Sequence, residues 1–145
     1  MTERREQRTA KDRAGFAALA KQALEKHVPE ARVAGVTWGA KPNLGWLRWP
    51  REEGGFVYLA LRRHLDWVTG EVGLSPDARD LADLELRAEP AGEPGTAWRV
   101  RLGHLLHDED RWWPAGATEA ALIARLEWLA LEMRVKLGRL VKQPA

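Results

Sequence analysis

The chain has 145 residues, 45% of them apolar and 30% charged, with a formal net charge of +2 and no cysteine. That length fits one domain spanning 1–145, which buries roughly 70% of its unfolded surface without covalent staples. The missing thiols exclude disulfides, thiolate zinc sites and a cysteine nucleophile. No run approaches the ~20 apolar residues of a membrane-spanning helix.

The first eight residues are charged and lack an apolar period, so a frayed start is expected, without the long apolar stretch of a secretory signal. A cytoplasmic location follows as the expectation. From Thr9 to His27, Phe16, Leu19, Ala20, Ala23, Leu24 and His27 recur at helical spacing. This predicts an amphipathic helix stopped at Val28-Pro29, because the residue before proline avoids the helical region.

The period then shortens. Val33–Trp38 and Leu44–Trp49 predict strands around a Lys41-Pro42-Asn43 turn, and Glu52-Glu53-Gly54-Gly55 predicts a second turn. Phe56–Arg63 is a third strand, and Leu65–Val72 either continues it past a bend near His64 or forms a fourth. Alternation read straight through this stretch places His64 and Asp66 on one face and Glu71 on the other. Ser75-Pro76-Asp77 has the chemistry of a helix start, opening one or two turns that end near Leu84. Residues 88–96, rich in Gly and Pro, predict a flexible loop. Thr96–Leu102 alternates again, with Trp98, Val100 and Leu102 facing one way and Arg99 and Arg101 the other.

Residues 103–114 read as a surface loop with Trp112 and Trp113 tucked beneath it. Thr118 caps a last helix to about Val141. Its seam is Leu122, Leu126, Leu129, Met133, Leu137 and Leu140, and Trp128, Leu131 and Val135 form a second stripe. A second apolar stripe requires a second contact, expected to be the first helix in preference to another subunit. These elements predict an α+β fold with a four- or five-stranded, mainly antiparallel sheet. The N- and C-terminal helices pack on one face, covering the indoles of Trp38, Trp67 and Trp98.

Eight tryptophans stand beside two Phe and one Tyr. Indole is a large apolar ring with one N–H, suited to places where a core meets a polar edge. Interface centres favour Trp and Arg, so Arg99, Arg101, Arg111, Trp112 and Trp113 are the partner-binding candidates. The charge layout adds to this: residues 76–95 hold six acids against two arginines, whereas 120–145 are basic.

The leading expectation is a non-catalytic module that binds a protein partner (accessory, chaperone-like or immunity-like) or a second copy through the last helix. The alternative is single-stranded nucleic-acid binding, with Arg62, Arg63, Arg99 and Arg101 beside Trp46 or Trp49 as a stacking platform. His104, His107, Asp108 and Asp110 are metal-capable residue types, but a solvated loop explains them more simply, and no cofactor is expected. Ser75 is the lone serine and no nucleophile elbow or phosphate loop is present, which argues against an enzyme.

The order of helix, antiparallel strands, the strand Trp98-Arg99-Val100-Arg101-Leu102-Gly103, a tryptophan pair and a closing helix resembles a small bacterial domain-of-unknown-function family. That resemblance implies an α+β sandwich and assigns no functional residue. The Ala/Arg/Leu/Gly/Trp-rich composition fits a bacterial source.

Overall fold

A computed structural model describes residues 2–90 and 95–142, with side chains over 15–90 and 95–140. The chain is α+β. Helix α1 spans Thr2–His27 and is followed by a 3-10 turn at Pro29–Arg32. Strands β1 (Thr37–Lys41), β2 (Leu44–Pro50), β3 (Phe56–His64) and β4 (Trp67–Ser75) come next. After a 3-10 turn at Leu81–Asp83 come β5 (Glu85–Arg87), β6 (Trp98–Arg101), helix α2 (Leu102–His107), β7 (Trp113–Pro114) and helix α3 (Glu119–Lys142).

The strands form one sheet in the order β1-β2-β3-β4-β6-β5, with β7 pairing β4 beside β6. All pairs are antiparallel except β5–β6. The two short strands β5 and β7 raise the count above the predicted four or five, being too brief to leave an alternation in sequence. α1 starts seven residues before its predicted Thr9. Glu, Arg and Gln are good helix formers even where no apolar face repeats.

Helices α1 and α3 pack on one face of the sheet. Phe16, Ala20 and Leu24 of α1 and Leu126, Leu129 and Met133 of α3 meet Leu47, Leu59, Leu61, Val68 and Val72. Two glycines permit the close approach. A Cβ on Gly45 would stand 2.9 Å from the Ala20 methyl, and one on Gly70 would stand 2.5 Å from Met133 Sδ. Thr118 caps α3 as predicted, its Oγ1 accepting from the Ala121 amide at 3.1 Å.

Several expectations change. The first strand starts at Thr37, not Val33, because Gly35 takes a left-handed φ of 95° and turns the chain there. Of the two readings open for 56–72, the chain takes the second, two strands reversed at Leu65-Asp66 with Leu65 at φ 53°. Ser75 ends β4 instead of capping a helix; its hydroxyl serves a local turn with Asp77, and Asp80 caps the later 3-10 turn through the Ala82 amide. Leu102–His107 is helical where a loop was expected. The predicted 88–96 loop has its centre, 91–94, outside the described residues.

Candidate functional site

The sheet face turned away from the helices is built in two halves. In one half, Leu81 and Leu84 from the acidic segment 76–90 pack against Leu44, Trp46, Tyr58 and Ala60. This segment is a strap tied down by its backbone. The Tyr58 hydroxyl donates to the Arg79 carbonyl at 2.9 Å and accepts from the Arg79 amide at 2.9 Å. Arg48 Nη1 donates to the same carbonyl at 2.7 Å, and Arg99 Nη1 donates to the carbonyls of Leu81 and Leu84 at 2.9 and 2.6 Å. The strap's acids point outward, and Arg79 beside Asp77 holds that carboxyl below its usual range.

The other half is polar and open. Glu71, mid-way along the central strand β4, is fully buried and faces three arginines. Arg62 Nε donates to Oε2 at 2.8 Å, and Arg101 Nε approaches the same oxygen at 3.5 Å. Arg99 Nε lies 3.0 Å from Oε1, an ion pair whose N–H is not aimed at the oxygen. The arrangement follows from register: Arg101 stands directly opposite Glu71, Arg99 opposite Gly73 and Arg62 opposite Thr69. Arg101 Nη1 also donates to Asp110 at 2.6 Å, and its guanidinium lies 5.0 Å from the Trp112 ring centroid. His64 meets Trp112 edge-on at 6.4 Å, and Thr69 Oγ1 donates to the Arg111 carbonyl at 3.2 Å. At the tip, Trp67 and Leu65 are 48% and 74% exposed.

The predicted site residues therefore separate. Arg99, Arg101 and Trp112 converge with Arg62 and Glu71. Arg111 is an exposed side chain paired to Glu109 at 2.7 Å. Trp113 is only 9% exposed and packs at 5.3 Å on Trp128 beneath the helices, so it is core and leaves the partner-binding set. The single platform proposed for Arg62, Arg63, Arg99 and Arg101 does not assemble, since Arg63 lies on the helix side of the alternation and bonds the Leu65 carbonyl. Trp46 is buried against Tyr58 and Trp49 is half-buried in the helix-side core, so neither is a stacking surface.

Sequence reasoning missed Trp67 and misplaced Glu71. Trp98 is buried and Trp38 half-buried beneath Lys21, as the sheet core requires, whereas Trp67 stands in solvent. The reversal at Leu65-Asp66 puts His64, Trp67 and Glu71 on one face. The only available signal was the Arg-x-Arg alternation of β6, which needs a counter-charge on its neighbour. His107 packs against Trp113 at 6.4 Å, and among the described residues no three His, Asp or Glu side chains stand close enough to share a metal ion.

Leu131 and Val135 are 45% and 53% exposed. The second stripe of α3 is therefore divided. Trp128 is half-buried against Trp113, whereas the first helix, contrary to expectation, leaves Leu131 and Val135 uncovered and lies to one side, where Lys26 and His27 meet Glu127. No helix among the described residues is long and apolar enough to cross a membrane. No family model, curated protein or solved structure matches the chain.

Proposed function

We propose that this chain is a non-catalytic binding module whose open sheet face receives a protein partner. The observation that carries the reading is the buried Glu71 holding Arg62, Arg99 and Arg101 beneath a rim of exposed aromatic and apolar side chains. Fixing long guanidinium side chains in advance removes entropy that binding would otherwise cost, and Arg and Trp are the side chains that dominate interface energetics. The nucleic-acid alternative has less support. Glu71 and Asp110 already engage these arginines, leaving a surplus of one positive charge, and a phosphate backbone calls for more.

The test is the double substitution Trp67→Ser with Trp112→Ser, assayed by cross-linking in the native host. Loss of the cross-linked partner with an unaltered circular dichroism spectrum supports the reading; undiminished cross-linking removes it.

A second reading, self-association, is favoured by the uncovered part of the stripe on α3. Under an antiparallel two-fold level with Met133, the exposed Leu131 of each copy stands opposite the exposed Val135 of the other, so the pair complements itself. Sedimentation equilibrium with and without Leu131→Glu decides it: a concentration-dependent dimer abolished by the charge supports the contact, and a monomer throughout removes it.

A further inference from the structure

We propose that the open half of this face takes a carboxylate from an extended, acidic, leucine-bearing segment of the partner, seated on Arg62 and Arg101 beside Trp112. This rests on the partner-binding reading above and specifies the chemistry of the occupant. Two features of the molecule each show one part of the mode, a carboxylate held by an arginine and an extended segment held by its leucines and backbone. On Arg101, the chain's own Asp110 carboxylate sits 2.6 Å from Nη1, with the guanidinium over the Trp112 ring. On the neighbouring half, the strap lies along the sheet with Leu81 and Leu84 inserted and its carbonyls taken by Arg99 and Arg48. A second extended segment laid beside it would meet the same surface, except that here one fork is unclaimed.

That fork belongs to Arg62. Its Nε is committed to Glu71, which fixes the plane of the guanidinium, and its side chain is 28% exposed. No hydrogen bond from its Nη groups reaches a described residue. A planar guanidinium held by one edge presents its remaining N–H groups in the geometry that matches a carboxylate. Arg62 and Arg101 both approach the same Glu71 oxygen, so the two cations are neighbours with one anion beneath them. An incoming carboxylate would offset their mutual repulsion. The exposed Trp67 and Leu65 at the hairpin tip supply apolar contact for the leucines.

The test titrates 15N-labelled full-length protein with a peptide of alternating Glu and Leu, its Gln/Leu counterpart, and oligothymidylate. The readouts are the indole N–H resonances of Trp67 and Trp112. The Glu/Leu peptide is expected to move both, with affinity lowered about tenfold or more by Arg62→Gln, the scale expected when one partner of a charged hydrogen bond is removed. Because Arg62→Gln also disturbs buried Glu71, Asp110→Asn serves as a second variant. It frees Arg101 Nη1 at an exposed position and is expected to tighten binding several-fold.

Equal binding of the Gln/Leu peptide, or no effect of either variant, overturns the acidic chemistry while leaving the partner-binding reading in place. Oligothymidylate displacing the peptide from the same indoles overturns it in favour of nucleic acid. No shift with any peptide, together with undiminished cross-linking in the Trp67/Trp112 variant, removes both readings.

Discussion

At the scale of single residues, Glu71 has the most consequence. A carboxylate wholly removed from water is tolerated only when neighbouring cations and donors replace its hydration, and here three guanidinium groups do so. Substituting Glu71→Gln keeps the shape but leaves Arg62, Arg99 and Arg101 repelling one another. It is expected to destabilise the fold by about 3 kcal/mol or more, the usual cost of breaking a buried ionic cluster. The urea midpoint reads this directly; a loss below about 1 kcal/mol, as for exposed pairs, would show that water already screens the cluster. The role of Glu71 was illegible in sequence for a definite reason. Leu65 adopts a left-handed φ of 53°, a conformation usually left to Gly or Asn. With no turn signal at 65–66, alternation in the sequence runs straight through the reversal and puts His64 and Glu71 on opposite faces.

At the scale of elements, what repeats was legible and what is short was not. The seam of α3, the Thr118 cap, the Asn43 and Gly54-Gly55 turns and the in–out pattern of β6 all appear where periodicity and turn chemistry put them. Ser-Pro-Asp suits both a helix cap and a turn, and only the docking of Leu81 and Leu84 on the sheet selects the second. Adjacent tryptophans show the same limit. Trp112 and Trp113 straddle the start of β7, so consecutive side chains go to opposite faces, and no composition rule separates them. Their fates predict different energetics. Trp113→Ala empties a core position and is expected to cost about 3–5 kcal/mol, whereas exposed Trp67→Ala should stay within about 0.5 kcal/mol of the parent. Thermal melts of the two variants check the assignment; equal losses would contradict it.

At the scale of the whole molecule, the two long helices are clasped by ionic contacts that depend on pH. Lys26 Nζ and His27 Nε2 stand 2.8 and 2.6 Å from Glu127 Oε1, and these contacts, Lys26 foremost, hold the Glu127 carboxyl below its ordinary value of about 4.5. A carboxyl that binds its proton less readily folded than unfolded contributes stability above that value and loses it as pH falls through the lowered one. The denaturation midpoint should therefore decline once pH falls below about 4.5, and Glu127→Gln should flatten part of that decline. An unchanged slope would mean that other carboxylates dominate the acid limb. The order of the chain adds a constraint on assembly. When β4 leaves the ribosome its carboxylate has a single cation within reach, Arg62, and the other two follow some thirty residues later, at 99 and 101. Removing a carboxylate from water with too few counter-charges beside it is costly. Until β6 pairs with β4, Glu71 stays open to water on the polar face, and that pairing is expected to be the step that dehydrates it.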